Sequence, residues 1–375
     1  MKYLKTLTKK LNIVSFDVPY PPNYGGVIDV FYKIKELHFL GIEIYLHTFD
    51  NGRGIQNELL KYCKKVTYYK RKSNFSKLIS TLPYVVKTRD NQKLINNLSV
   101  NNSPILFEGI HTTFPLLNSN LKNRKIFIRA HNIEHHYYEG LYKSEKNIFK
   151  KIFFKLESYK LKKYEFILNN ADCVFSISPA DQAYFSTIFK SKSVYIPAFH
   201  SNSTINSKLG RGNYAIYNGD LRVADNVKSC EFLINIFSEI EFPLIISSSF
   251  ENNFILKECK KHTNITYLVV SKKKEIDALL QDAHINLLPT FQNTGIKLKL
   301  INALYNSRFC IANNAMIKNT GVENLCLIAN SKSEFTVIIN KLITQNFTVE
   351  FINERKKTLS IFENQLNALK IANLL

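Results

Sequence analysis

The sequence predicts an α/β protein made of two doubly wound βα domains in tandem. Three observations carry that prediction. Short apolar runs of strand length alternate with segments of helical period along the 375-residue chain. One stretch, His200–Gly212, is rich in Ser, Asn and Gly, has no apolar periodicity and reads as a linker. The alternation then restarts and ends in a long helical segment. The expected boundaries are 1–199 for the first domain, 200–212 for the linker, 213–350 for the second domain and 351–375 for a C-terminal helix that returns to the first.

In chain order, Leu11–Val18 is the first buried strand and leads into the loop Pro19–Gly26, PYPPNYGG. The prolines fix an extended approach, and Gly25 and Gly26 remove side chains just before a helix. That helix, Val27–Leu40, has apolar residues at Val27, Val30, Phe31, Ile34 and Leu37, and Ile42–Phe49 follows as a strand. Helix Ile55–Cys63, strand Val66–Tyr69, a helical basic region over Ser73–Leu98 and strands Pro104–Phe107 and Lys125–Arg129 continue the pattern. Leu141–Asn170 reads as one basic helix with eight lysines and an apolar face at Phe149, Ile152, Phe153 and Leu156. Its spacing predicts that this face packs on the sheet with the lysines outward; a helix of that charge also suits anionic lipid. Strand Asp172–Ile177, helix Pro179–Phe189 and strand Val194–Pro197 close the first half.

The second half opens with strand Tyr214–Tyr217, a turn at Asn218-Gly219-Asp220 and helix Val227–Phe237. Strands Leu244–Ser247 and Ile265–Val270 and helix Lys274–Ala283 precede the most informative stretch, His284–Ala312. It reads as a strand ending at Thr290, a polar loop, a helix Ile296–Asn306 and a strand Arg308–Ala312. Strand Leu325–Ala329, helix Ser333–Ile343 and the helical segment Val349–Leu375 complete the chain.

Composition narrows the function. At 45% hydrophobic the chain can bury substantial cores, which excludes global disorder. A formal charge of +21 suits a phosphorylated substrate, an anionic membrane surface or a polyanion. The lysines are dispersed, and neither zinc-finger spacing nor an RNP-like aromatic motif occurs, so nucleic acid is not an expected partner. The six cysteines form no C-x-x-C pair and read as reduced core residues. The apolar run Leu11–Val14 is too short for a signal-peptide core, and no stretch approaches about 18 uninterrupted apolar residues. The expected location is cytoplasmic, including a peripheral position on the inner face of the cell membrane.

On doubly wound sheets, ligands gather at the carboxyl ends of strands. Three polar clusters fall there: Gly25-Gly26, Glu108 to His111, and His131-Asn132 with Glu134, His135 and His136. His131 and His135 are four apart, a spacing that suits zinc on a helix, but no third ligand is placed, so no metal is expected. His131 is the candidate catalytic imidazole, positioned to hydrogen-bond a substrate hydroxyl or a developing charge. Glu108, His111, Asn132 and Glu134 are candidates for the acceptor side. In the second half, a helix begins directly after Thr294-Gly295, with Lys297 and Lys299 in its first turn. Lysines oppose the helix dipole there, and a bound diphosphate would account for them.

Four motifs resemble GT-B glycosyltransferases of family 4, of the bacterial surface-polysaccharide type: PPNYGG (Pro21–Gly26), RAHNIEHHYYEGL (Arg129–Leu141), YNGDLRVADN (Tyr217–Asn226) and TGIKLKLINAL (Thr294–Leu304). The resemblance implies a GT-B fold with two Rossmann-like domains facing across a cleft, the acceptor in the first and a nucleotide-sugar donor in the second. It implies a retaining transferase that needs no metal or other cofactor and moves a sugar from a UDP- or GDP-sugar to a lipid-linked saccharide or cell-surface polysaccharide precursor. Carried over by position, His131 lies near the transferred sugar and Gly25 and Gly26 face the donor phosphates. Arg222, Thr294, Gly295, Ile296, Lys297, Lys299 and Asn302 bind the donor. The family carries a glutamate at the positions of Thr294 and Asn302 and a basic residue at that of Asp220. These departures keep open an alternative, a non-catalytic GT-B protein that binds a sugar nucleotide or a partner transferase.

Overall fold

The computed structural model describes residues 9–117, 121, 123–291 and 298–375. The described residues through Ser201, with Ile361–Leu375, form one compact unit, and those from Asn202 to Ser360 form another. The first unit carries β1 (Lys10–Ser15), β2 (Glu43–Asp50), β3 (Lys65–Lys70), β4 (Ile105–Glu108), β5 (Ile126–Ala130), β6 (Cys173–Ser176) and β7 (Ser193–Tyr195). These strands run parallel in the order β3-β2-β1-β4-β5-β6-β7. Helices cover both faces of such a sheet, so β4, β5 and β6 are buried along their whole length. The helices of this unit are α1 (Gly25–Phe39), α2 (Tyr84–Lys87), α3 (Gln92–Leu98), α4 (Glu134–Ser144), α5 (Ile148–Tyr164) and α6 (Pro179–Phe189). The chain builds outward from β1 to β3, then returns to lay β4 on the other side of β1. Loops leaving β1 and β4 therefore diverge, which opens a crevice at their carboxyl ends.

The second unit repeats the plan. It holds β8 (Ala215–Asn218), β9 (Leu244–Ser248), β10 (Ile265–Val269), β11 (Ile285–Leu288), β12 (Phe309–Ala312) and β13 (Leu327–Ile328). The order is β10-β9-β8-β11-β12-β13, again parallel, with the reversal between β8 and β11. Its helices are α7 (Ala224–Phe237), α8 (Asn253–Cys259), α9 (Lys273–Asp282), α10 (Leu298–Asn306), α11 (Asn314–Ile317), α12 (Lys332–Ile343) and α13 (Val349–Leu359). The last helix, α14 (Asn364–Leu374), belongs to the first unit. There Ala368 and Ile371 are fully buried in one core with Val30, Ile34 and Leu37 of α1.

The differences from the sequence reading have local causes. The expected helix Ile55–Cys63 is a 3₁₀ segment, Asn57–Lys61, and Ser73–Leu98 breaks into a 3₁₀ segment and the short α2 and α3. The single helix expected over Leu141–Asn170 is two helices and a 3₁₀ turn. Asn147 accepts from the backbone N–H of Phe149 and Lys150 (3.1 Å each) and starts α5, while Glu145 accepts from Lys146 and Asn147 and stops α4. The expected terminal helix divides at Ser360–Phe362, where Phe362 is buried. Helices α8 and α11 escaped the periodicity because they are short; Asn252 and Asn313 cap them. All six cysteines are free, and five are buried.

The basic helix departs most from expectation. Its apolar face does not pack on the sheet as a whole. Phe153 meets Tyr84 at 6.0 Å and Phe154 meets Tyr138 at 6.1 Å. Ile148, Phe149, Ile152, Leu156 and Tyr159 stay 52–80% exposed, at spacings that align them along one side of α5.

Candidate functional site

The crevice of the first unit is organised by a buried cluster of charges. On α1, Asp29 and Lys33 are one turn apart and wholly buried, with Lys33 Nζ 2.9 Å from Asp29 Oδ2. The same ammonium lies 2.9 Å from both oxygens of Glu108, the last residue of β4. From β5, Arg129 sends Nη2 to Asp29 Oδ1 at 2.8 Å and Nε to Asp29 Oδ2 at 3.1 Å. Arg129 also donates to the carbonyl oxygens of Ile196 and Pro197 after β7, and the Phe199 N–H donates to Asp29 at 2.8 Å. Asp29 therefore accepts four hydrogen bonds. Burial alone would raise its pKa, but Arg129 and Lys33 outweigh that and hold the carboxyl well below the usual carboxylate range.

His131 follows β5 directly. Its Nε2 is 3.0 Å from Glu108 Oε2, and its ring stands edge-on to Phe16 at 5.3 Å. A carboxylate only accepts, so this bond places the neutral ring's proton on Nε2. Nδ1 is left as an acceptor with no hydrogen-bond partner among the described residues. One atom of each of Asp29, Glu108 and His131 comes within 4.8 Å of the others, a grouping that also suits a metal ion. Lys33 already stands between the two carboxylates, so the protein's own ammonium supplies the charge that a cation would bring.

The loop above this cluster is tightly held. Tyr24 donates to Asp17 at 2.6 Å, and Arg89 donates to the Phe16 carbonyl at 2.9 Å and to the Val85 carbonyl at 2.6 Å. A Cβ on Gly26 would fall 2.6 Å from the Phe16 ring, so glycine is what lets that ring lie against the start of α1. Nothing lies within 4 Å of the same position on Gly25, so its surface is open. Gly109, with φ +74°, turns the chain after β4 so that His111 folds back over it. His111 Nε2 is 3.6 Å from Glu134 Oε2, and Asn132 donates to Glu134 Oε1 at 3.4 Å. Burial pushes the Glu134 carboxyl up to about 7, and burial together with Arg89 holds His111 well below the usual imidazole value. Glu108, His111, His131, Asn132 and Glu134 thus lie together at the ends of β4 and β5 and the start of α4. The zinc spacing does not apply: His131 precedes the helix, and His135 turns to Glu165 at 3.3 Å.

In the second unit, two of the expected donor residues border the loop after β8. Lys299 on α10 reaches Asn226 Oδ1 at 3.3 Å and sits 5.3 Å above the Tyr217 ring. Gly219 passes so close to Tyr217 Oη that a Cβ there would lie 3.0 Å from it. Arg222 closes a two-point bond with Asp220 (3.0 and 2.7 Å) and stacks on Phe250 at 3.5 Å, so Asp220 is its counter-ion. Asn302 is turned along its own helix, where its carbonyl and Oδ1 accept from Asn306 at 2.9 and 3.1 Å. The loop after β11 is anchored at its start: Asp225 accepts from Thr290 Oγ1 at 2.7 Å and from the Phe291 N–H at 2.9 Å. Thr294, Gly295, Ile296 and Lys297 lie outside the described residues.

The sequence reading missed Asp29, Lys33, Arg129 and Asn226. A signal for the first two was present, since Lys33 falls on the otherwise apolar stripe Val30–Ile34–Leu37 of α1. A lysine there needs a buried partner.

No family model matches the chain. A Klebsiella pneumoniae protein described as an uncharacterized 44.6 kDa protein in the cps region is 26% identical over 384 residues, 96% of this chain and 94% of that one. Sucrose-phosphate synthase from Thermosynechococcus elongatus superposes with a TM-score of 0.71 at 14% identity, covering 98% of each chain. HepE from Anabaena, solved with UDP and glucose, gives 0.66 at 11% identity over 98% of this chain and 100% of that one. These likenesses and the two reversed parallel sheets define the class: the chain has the GT-B fold.

Two outcomes follow. Lys33→Met leaves two buried carboxylates short of a counter-ion and lowers stability by about 3–5 kcal/mol in urea denaturation; adding Glu108→Gln restores part of that loss. Glu134 has its carboxyl raised from 4.5 to about 7 in the fold, so the native state binds the extra proton between those values. Stability then falls as pH rises through that window. Glu134→Gln removes the ionisation and is more stable than the parent by about 3 kcal/mol at pH 8, with no such gain at pH 4.

Proposed function

We propose that the chain is a glycosyltransferase that moves a sugar from a UDP- or GDP-sugar to a lipid-linked saccharide or cell-surface polysaccharide precursor. The observation that carries this reading is His131, fixed by Glu108 at the end of β5 in a GT-B fold. With its proton held toward Glu108, His131 offers Nδ1 to a hydroxyl of the sugar or acceptor and steadies it during transfer. Lys299, beside the β8–α7 loop, supplies a cation to the donor diphosphate and meets the negative charge that develops on leaving, together with backbone N–H groups. The ammonium between Asp29 and Glu108 supports a reaction without metal, and the family resemblance supports retention of anomeric configuration. The Klebsiella relative in a cps region supports a polysaccharide precursor as acceptor, and HepE with UDP and glucose supports a uridine nucleotide donor.

The lipid-linked acceptor accords with α5. No helix of the described residues is long and apolar enough to cross a membrane. Its exposed row Ile148, Phe149, Ile152, Leu156 and Tyr159 is flanked by Lys146, Lys150, Lys151, Lys155, Lys162 and Lys163. That combination suits a lipid interface, with the apolar ridge toward the acyl chains and the ammonium groups toward anionic headgroups. We assign the working position of the protein to the cytoplasmic face of the membrane, held peripherally by this helix.

Incubation with a panel of nucleotide sugars and membrane extract, read as sugar transfer and nucleotide release with and without EDTA, tests the activity. Transfer is expected with EDTA present, and His131→Ala and Lys299→Ala lower it by about a hundredfold or more with the fold retained. Calorimetric binding of UDP or GDP without turnover on any acceptor would establish the non-catalytic alternative instead. For membrane docking, the protein is expected to sediment with phosphatidylglycerol vesicles and not with phosphatidylcholine alone. Phe149→Asp with Ile152→Asp abolishes sedimentation while leaving the melting temperature in place.

A further inference from the structure

Within the second unit, away from the residues above, Arg355 on α13 is 2% exposed and forms no salt bridge among the described residues. It donates to the Ser207 hydroxyl at 2.7 Å and to the carbonyl oxygens of Ser307 and Arg308. The remaining atom it faces is Cys310 Sγ, 3.9 Å from Nη2. Cys310 lies on β12, and Cys326 comes just before β13. The strand register places Ile311 beside Leu327, so the two cysteines are neighbours one step earlier. Both line a cavity of about 190 Å³ with Arg355, Glu354, Phe347 and Asn324, roomy enough for a small oxidant.

A buried guanidinium without a carboxylate favours an anion, and the sulfur of Cys310 is the group placed to become one. The hydrogen bond from Cys326 and the charge of Arg355 lower the Cys310 thiol, against the opposing effect of burial, while the same bond and burial raise Cys326. We propose that Cys310 and Cys326 form a peroxide-oxidisable pair, in which Cys310 is the attacking thiolate and Cys326 the resolving thiol. The Cys310 thiolate attacks a hydroperoxide, an S–O bond forms as the O–O bond breaks, and the leaving alkoxide or hydroxide takes a proton. Cys326 then attacks the sulfenic sulfur. The S–S bond forms, and hydroxide leaves as water with the Cys326 proton. Two thiols lose two electrons, and the hydroperoxide gains two. The product ties β12 to the segment that leads into β13. This step is independent of the transferase reading.

The test treats the full chain with limiting hydrogen peroxide, alkylates it, digests it and locates oxidised cysteines by mass spectrometry. The expected result is a Cys310–Cys326 linked peptide that forms before any oxidation of Cys63, Cys173, Cys230 or Cys259. In Cys326→Ser, dimedone is expected to trap a sulfenic acid at Cys310. At pH 7 iodoacetamide modifies Cys310 about tenfold faster than Cys230 in the untreated parent. Oxidation that begins at another cysteine, or a Cys310 that reacts no faster than Cys230, overturns the proposal. The parent alone supplies both readouts, so they hold whether or not the variant folds.

Discussion

The first unit depends on a buried four-charge arrangement, Asp29 and Glu108 against Lys33 and Arg129. Removing four ions from water is expensive, and their mutual attraction offsets that cost only when geometry and hydrogen bonding are nearly complete. Here they are: Asp29 accepts four bonds, and the unused donors of Arg129 reach backbone carbonyls. Such a cluster adds little net stability over an apolar core. It does fix α1, β4, β5 and the chain after β7 in one register, because a small displacement of any of them strands a charge. His131 takes its orientation from this framework through Glu108, so the imidazole has a single direction without a loop to hold it.

The second unit achieves order at its switch point by other means. Its loops are joined by amides, hydroxyls and one carboxylate: Tyr217 to Asn226, Ser247 to Asn218, and Asp225 to Thr290 and Phe291. The cations there, Lys299 and Arg222, both lean on aromatic rings, and Asp220 pairs with Arg222. Thr290 and Phe291 fix where the chain departs after β11.

Much of this was legible in the sequence, for a physical reason. Fully buried parallel strands are apolar along their whole length, so β1, β4, β5, β6, β8, β11 and β12 appear as short runs, and the loops after them as polar clusters. His131, Glu108, His111 and Glu134 were readable because polar residues at strand ends are conspicuous there. What escaped was long-range or lay between periods. Asp29 and Lys33 were hidden inside an amphipathic helix, and only the partner that β4 and β5 supply explains them. The break at Glu145–Asn147 is a capping event that two side chains decide, and periodicity does not register it. Nor does spacing say whether an apolar helical face is covered: Phe153 is, and Phe149 four residues earlier is not.

That last point changes the meaning of the +21 charge. In the buried cluster two carboxylates cancel two cations, so the surplus does not reside at the heart of the first unit. Along α5 it is unbalanced, because Glu157 turns inward to the backbone N–H of Tyr84 (2.6 Å) and to Lys160 (3.1 Å), leaving the outward lysines without it. An ordinary solubilising surface mixes charge of both signs and avoids contiguous apolar side chains. This helix does neither. Charge of one sign beside an apolar ridge is a surface whose chemistry is compatible with an anionic lipid interface, whereas the buried cluster of the first unit balances its charges internally.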